Sequence, residues 1–357
     1  MRGHPRGAGL SGWTALDVLA VYLFCVKATL PILAAVIAAS GLDDLCVDLL
    51  FLGRICYRKL FIYTRYARAT AGDISRWEER WFAVLVPAWD EAAVIRPMLD
   101  ALVGRMDYAR YRVFVGIYPN DPATRREVER VARRHAAIVP VTTPRAGPTT
   151  KADCLNSLWR ELLRHERLGG FRFAGAVLHD AEDVCHPREL KLFNHLIDRF
   201  DLIQLPVVPL SEAHSRWVSG HYLDDFAEAH TKDMVVREML GAAMPCAGVG
   251  CAFSRAAVER AAARNGGAPF NEGSVTEDYI LGIEASLSGG RPAMVRVPVA
   301  PGGRGHVATR AYFPDTFDRA FVLGIVLNTA FVAVEAAYGV FADSLALLAD
   351  AGHNLSD

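Results

Sequence analysis

Three carboxylates stand within four residues at Asp180-Ala181-Glu182-Asp183, directly after the apolar run Ala176-Val177-Leu178 and His179. Carboxylate oxygens are hard donors, suited to Mg2+ or Mn2+ rather than to softer ions. An apolar run that ends in acids reads as a buried strand delivering them to its C-terminal tip, the edge at which open α/β sheets bind ligands. An isolated acidic box also suits a solvated turn, so its meaning depends on what stands near it. Asp90 and Glu91 end a second apolar run, Phe82 to Pro87, and Asn120 with Asp121 follow a third, Arg112 to Ile117. Lys151 opens a helical stretch, and Thr276-Glu277-Asp278 opens another. A Thr N-cap followed by two acids also suits a helix start in its own right.

The elements that must position these groups follow from hydrophobic period and punctuation. Strands are expected at 82–87, 112–117, 137–141 and 173–179, with helices after 91 through Val103, over Thr124 to His135 and over Lys151 to Arg164. Strands alternating with helices of this length imply βαβ units and a largely parallel sheet. The tips of neighbouring parallel strands share one edge, so one site can collect Asp90, Asp121 and Asp180. Beyond it, the sequence predicts a strand at Leu202 to Pro206, a long helix over His221 to Leu240, a Gly-punctuated strand at Gly248 to Phe253 and a helix over Tyr279 to Leu287. No G-x-G-x-x-G follows the first strand and no G-x-x-x-x-G-K-[ST] occurs, which argues against a dinucleotide oxidoreductase and a P-loop NTPase.

Composition bounds the rest. The chain has 357 residues, 52% of them hydrophobic, with a formal net charge of -1. That balance offers no global basic field to recruit nucleic acid. Seven cysteines are scattered without a C-x-x-C pair, so neither a zinc ribbon nor a disulfide framework is indicated. The apolar excess gathers at the two ends. Trp13 to Ser40 is long enough to span a bilayer as an uncleaved anchor, with Pro31 expected to kink it. Apolar positions at helical spacing continue over 42–64, fitting either a helix on the membrane surface or one packed on the next domain. Arg54, Arg58, Lys59, Arg65 and Arg68 then mark the cytosolic side.

Together these segments resemble the processive, membrane-bound family-2 glycosyltransferases, with cellulose synthase catalytic subunits as more distant relatives. The motifs that carry the likeness stand in the family's order: Pro87-Ala-Trp-Asp90-Glu91, Asn120-Asp121, Lys151-Ala-Asp-Cys-Leu-Asn156, Asp180-Ala-Glu182-Asp183, Gln204-Leu-Pro206, Gly248-Val-Gly250-Cys-Ala-Phe253 and Thr276-Glu277-Asp278. The resemblance covers about residues 10 to 317, and three segments are expected. These are a transmembrane and amphipathic interfacial segment (1–69), an α/β domain of the GT-A, Rossmann-like nucleotide-diphospho-sugar transferase fold (70–317), and, beyond the reach of this resemblance, a transmembrane segment (318–357) that resembles part of a cation diffusion facilitator. The glycosyltransferase resemblance implies an inverting transferase in a bacterial inner membrane, facing the cytosol. The donor would be a nucleotide sugar, with UDP expected, and the acceptor a glycan or lipid-linked chain. A partner in outer-membrane or exopolysaccharide machinery is also implied. On the matching positions, Asp278 is the general base with Glu277 orienting. Asp90, Asp121, Lys151 and Asp180 bind the donor, and Asp180 and Glu182 hold Mg2+ or Mn2+. Gln204, Gly248 and Gly250 line the acceptor side.

Two departures shape the expectation. The family's metal motif is usually D-x-D, and Glu182 takes its last position, with Asp183 adjacent. The Q-x-x-R-W motif expected after Tyr312-Phe-Pro-Asp-Thr-Phe317 does not follow, which predicts an impaired acceptor site. From Asp318 the chain instead resembles the first helices of cation diffusion facilitators, with His353 and Asp357 one helical turn apart. Such a pair supplies half a tetrahedral Zn2+ site. The join reads as a gene fusion, a truncated fusion or a sequence-assembly artefact, with the tail expected as a metal-free helical hairpin. A zinc-efflux fragment and a non-catalytic receptor or scaffold subunit are the alternatives.

Overall fold

The computed structural model describes residues 14–76, 78–209, 216–274, 276–299 and 306–311. The Phe-Pro-Asp-Thr-Phe segment and residues 318–357, with His353 and Asp357, lie outside them. The chain divides into two compact units, of which Gly53–Thr316 is one. The described part of the other is the first stretch of helix α1 (Ala15–Tyr57), a single run of 43 residues with Pro31 inside it. At about 1.5 Å per residue such a helix is roughly 65 Å long, twice a hydrocarbon core of about 30 Å. One continuous helix runs from the apolar stretch through to Tyr57, followed by a π turn at Arg58–Ile62. Ala15–Ile62 is the one helix among the described residues long and apolar enough to cross a membrane.

The second unit is an α/β domain. In chain order its elements are β1 (Phe82–Pro87), α2 (Ile95–Arg105), β2 (Tyr111–Ile117), α3 (Pro122–Ala132), β3 (Ile138–Thr142), α4 (Lys151–Gly169), β4 (Gly175–Leu178), α5 (Glu189–Leu196), β5 (Leu202–Gln204), β6 (Val207–Pro209), α6 (Arg216–Glu228), α7 (Met234–Leu240), β7 (Cys251–Ser254), α8 (Arg255–Arg264), α9 (Glu277–Leu287), β8 (Pro292–Met294) and β9 (Thr309–Ala311). The main sheet has the order β3-β2-β1-β4-β7-β5-β8, and β6 pairs with β9 in a second, two-stranded sheet. β1, β2 and β4 are apolar along nearly their whole length and buried, as strands covered on both faces must be. Phe82, Leu85, Phe114, Phe173 and Phe253 are fully buried in this core.

The α/β fold class expected from the sequence is the fold found, with differences in detail. The sheet is parallel except at β7, which runs antiparallel to both β4 and β5. The strand expected at 248–253 begins only at Cys251, because Gly248 and Gly250 take left-handed φ of 76° and 58° and cannot continue a pleat. The strand expected at 202–206 stops before Pro206, which has no N–H for a ladder, and resumes as β6. The long helix over 221–240 is two helices joined by a π turn at Ala229–Asp233. Helices α5 and α8 went unforeseen, although Ser254 caps α8 by accepting from the Ala257 amide at 3.1 Å.

Register sets the site. β1 pairs with β4 from Phe82↔Gly175 to Leu85↔Leu178, and the His179 amide donates to the Leu85 carbonyl at 3.2 Å. The carboxylate box therefore emerges beside the end of β1. Helix α4 packs on β1 and β2 and starts at Lys151, where the Thr150 side chain accepts from the Asp153 amide at 3.2 Å. Asn120 fixes the preceding loop by exchanging two hydrogen bonds with the Gly147 backbone, each 2.7 Å.

Gln204 is a buried stitch between β5 and the glycine segment. It is 0% exposed, accepts from the Ala247 amide at 3.0 Å and donates to the Val249 carbonyl at 2.9 Å. Replacing it with Leu strands those backbone groups out of water. Gln204→Leu is expected to lower stability by about 1–3 kcal/mol in denaturant unfolding; an unchanged midpoint would contradict the stitch.

Candidate functional site: a carboxylate edge held by one lysine

Lys151 sits at the centre of the edge. Its Nζ lies 2.7 Å from Asp180 Oδ1 and 3.6 Å from Asp278 Oδ2. The tip of β4, the start of α4 and the start of α9 thus meet through one ammonium. Burial alone disfavours that charge, but Asp180 and Asp278 outweigh it and hold the lysine well above its ordinary pKa. Gly248 brings its backbone against the same carboxylate: a Cβ there would lie 1.9 Å from Asp278 Oδ2. Gly250 instead faces Thr309, whose Oγ1 would be 2.4 Å from an added Cβ. Glu277 is buried at the first position of α9, and that burial raises its pKa.

A cavity of about 320 Å3 opens over the tips of β1 and β4, lined by Trp89, Glu91, Tyr118, Thr149, Lys151, Asp180 and Glu182 among others. Trp89 and Tyr118 meet edge-on with centroids 5.0 Å apart, and the Tyr118 hydroxyl is 2.8 Å from Thr149 Oγ1. Three carboxylates share this cavity. Burial, then Asp180 and Glu91, push Glu182 up to about 7. Burial, then Asp180, Asp90 and Asp121, raise Glu91.

Asp90 and Asp121 come together, but on each other. Asp121 is buried, accepts from the Asp90 amide at 2.7 Å through Oδ2, and caps α3 by accepting from the Thr124 amide at 3.1 Å through Oδ1. Asp90 itself is exposed, with φ of 59°, a left-handed conformation that Asp tolerates better than most residues. Asp121 thus shapes the turn that presents Asp90 and Glu91.

Behind the box lies a buried support that the motif reading passed over. His179 places Nδ1 3.0 Å from Asp183 Oδ2 and Nε2 2.6 Å from Glu189 Oε1. Asp183 Oδ2 also accepts from the Asp180 amide at 3.0 Å, and Glu189 Oε2 accepts from Thr309 Oγ1 at 3.0 Å. Burial opposes a charged imidazole, yet Cys185, Glu189 and Asp183 overcome it and raise His179 well above its ordinary value. Asp183 is therefore spent on its neighbours, although its sequence position beside Glu182 suggested a reserve metal ligand. The signal was a histidine just before the box, inside an otherwise apolar run.

Two places gather donor atoms that a divalent ion could use. His179, Cys185 and Glu189 bring donor atoms within 4.8 Å of one another. Both ring nitrogens are committed to carboxylates, so this set fits an imidazolium. Asp180 and Glu182, with Glu91 beside them, are hard oxygen donors, and burial, then repulsion among the carboxylates, raises Glu182 and Glu91. That set fits Mg2+ or Mn2+.

Residues 79–323 match the model of the glycosyltransferase-like family 2. The chain belongs to this family of glycosyltransferases. It is 40% identical over 333 residues to bacteriophage adsorption protein B of Escherichia coli strain K12, covering 88% of this chain and 45% of that protein. It is equally similar to the bacteriophage N4 adsorption protein B of Escherichia coli O157:H7. The chain thus spans less than half the length of these relatives. Among solved structures it is similar to the mannosyltransferase PcManGT from Pyrobaculum calidifontis, in complex with GDP-Man and Mn2+. That likeness has 19% identity and a TM-score of 0.49, covering 87% of this chain and 84% of that one. It is also similar to S. aureus TarS 1-349 in complex with UDP-GlcNAc, with 12% identity and a TM-score of 0.44, over 72% of this chain and 66% of that one.

Glu182 and Glu91 hold their protons more tightly in the folded chain than an unfolded glutamate does. Stability from this source is full below the ordinary value of 4.5 and is lost as pH rises through about 7. Thermal unfolding without added metal is expected to show a falling Tm across that window, on the order of 1 kcal/mol after discounting for solvent screening. Glu182→Gln should flatten the slope; an equal slope in that variant would contradict the carboxylate crowding.

Proposed function

We propose that the chain is a membrane-anchored inverting glycosyltransferase that uses a nucleotide-sugar donor, with UDP as the nucleotide. The observation that carries this reading is the convergence of Asp180 and Asp278 within 3.6 Å of the Lys151 ammonium, beside a cavity that also takes Glu182 and Trp89. Sugar transfer from a diphosphate needs a cationic end for the leaving group and a carboxylate for the incoming hydroxyl, and both meet here.

In this reading Trp89 and Tyr118 wall the nucleoside, and Asp90 contacts it from the turn that Asp121 holds. Asp180 and Glu182 would hold Mg2+ or Mn2+, which supplies positive charge opposite the departing diphosphate. Lys151 faces the same phosphates as a point charge and steadies Asp278. Asp278 accepts the proton of the acceptor hydroxyl. The acceptor oxygen bonds to the anomeric carbon as the bond from that carbon to the diphosphate oxygen breaks, so configuration inverts and the nucleoside diphosphate leaves. Glu277, buried behind Asp278, orients the start of α9. Gly248 admits the Asp278 carboxylate because any side chain would displace it, and Gln204 and Gly250 hold the glycine segment in place.

Ala15–Ile62, apolar and followed by basic residues, is read as the anchor, with the transferase domain on the cytosolic side of a bacterial inner membrane. A glycan or lipid-linked chain is proposed as acceptor, with a partner in outer-membrane or exopolysaccharide machinery. The phage-adsorption names belong to relatives of whose length this chain spans 45%. Residues 318–357, with His353 and Asp357, keep their sequence resemblance to cation diffusion facilitators. They are proposed as a segment appended to the transferase domain.

The test is purified full chain with Mn2+ and a panel of UDP-sugars, reading UDP release and the anomeric configuration of the product by proton NMR. Release with inverted configuration is expected, falling by roughly two orders of magnitude or more in Asp278→Asn. Release that is equal in parent and variant, or a product of retained configuration, would overturn the assignment.

A further inference from the structure

Helix α5 faces two places. Its first residue, Glu189, belongs to the support under the carboxylate box, while Leu192, His195 and Leu196 line a separate cavity of about 730 Å3. This second cavity shares no lining residue with the donor cavity. Its walls carry six cations, Arg54, Arg58, Lys59, Arg68, Arg199 and Arg296, and one carboxylate, Glu238. Arg54 reaches that carboxylate at 3.5 Å. Other cations are steadied by groups without net charge. Arg58 lies over the Tyr63 ring at 5.2 Å, Arg199 over Phe200 at 6.0 Å, and Arg68 donates to the Arg296 carbonyl at 3.1 Å. Such contacts hold a guanidinium in place while leaving its charge to act on whatever enters. Burial, then the charges of Arg54, Arg68 and Arg58, press Arg296 below its ordinary pKa, which an anion would relieve.

The remaining wall is apolar, with Ile55, Ile74, Val235 and Met294. A cavity with a cationic rim and an apolar wall suits an amphiphile better than a small hydrated ion. The position in the chain points the same way. Arg54 and Ile55 belong to the last turn of α1, and Arg58 and Lys59 to the π turn that ends the apolar run Ala15–Ile62. Basic pockets next to membrane segments recognise lipid head groups.

We propose that this cavity binds the head group of an anionic phospholipid, its phosphodiester among the arginines and its glycerol stem along Ile55 and Met294. The site is separate from the donor cavity. Through α5 it adjoins the Glu189–His179 support, so an occupied cavity braces the helix from which the carboxylate box is held.

The experiment uses full chain in uncharged detergent, titrated with short-chain phosphatidylglycerol, with phosphatidylcholine of equal chain length and with glycerol 3-phosphate. Phosphatidylglycerol is expected to bind more tightly than either control. The affinity should fall about tenfold or more in the variant Arg58→Gln/Lys59→Gln, and by a smaller factor in Arg199→Gln. Unchanged binding of Mn2+ and UDP in the variants shows that the domain is intact. High salt should weaken the parent's lipid binding. The proposal is overturned if phosphatidylcholine binds equally well or if the folded variants keep the parent's affinity. It is overturned too if glycerol 3-phosphate matches the lipid, which would make the site one for soluble phosphate esters.

Discussion

Like charges gathered in one place repel, and the site is built around that constraint. Glu91, Asp180, Glu182 and Asp278 converge at the C-terminal edge of the sheet, and a single ammonium, Lys151, bridges two of them. The strain is visible in Glu182 and Glu91, whose protons are held more tightly than usual by burial and by their neighbours. The fold supplies what such crowding needs. Parallel β1 and β4 aim their ends the same way, Thr150 sets where α4 begins, and Gly248 lets α9's carboxylate approach. In the proposed reading, a cation arriving with a diphosphate would complete the balance.

Much of this was legible in the sequence because each part has a local cause. β1, β2 and β4 are apolar runs that end in polar residues, and α3 and α4 carry side-chain caps, so strand tips and helix starts could be placed within a few residues. Lys151, Asp180 and Asp278 were picked from different segments, and the fold brings them together. What escaped depends on contacts between segments distant along the chain. Nothing near Gln204 shows that its amide is consumed by the 247–250 backbone. Nothing near Asp121 shows that its second oxygen takes the Asp90 amide. The antiparallel entry of β7 is likewise a topological fact, with no period in the sequence to announce it. Asp183 looked available beside Glu182, and only the fold reveals His179 behind it.

The buried imidazole extends the same electrostatic logic one layer down. His179 sits between Asp183 and Glu189, and through Asp183 it sets the backbone of Asp180. Glu189 opens α5, whose far residues face the arginine-rich cavity. Acidic groups therefore crowd one end of the connection and basic groups the other, within one α/β domain. The family match, from residue 79 to residue 323, covers the carboxylate edge and its support, and it takes in Arg199 and Arg296 of the basic cavity, whose Arg54, Arg58, Lys59 and Arg68 precede it.

The Asp180–Glu182 edge is proposed as a place for a divalent cation and a diphosphate together. Free Mn2+ gives a sharp electron paramagnetic resonance signal that is lost on binding, so titrating the protein into Mn2+ with and without UDP reads occupancy without turnover. UDP is expected to tighten Mn2+ binding in the parent, and Asp180→Ala to weaken it about tenfold or more. Mn2+ binding of equal strength in Asp180→Ala, with no dependence on UDP in either protein, would contradict it.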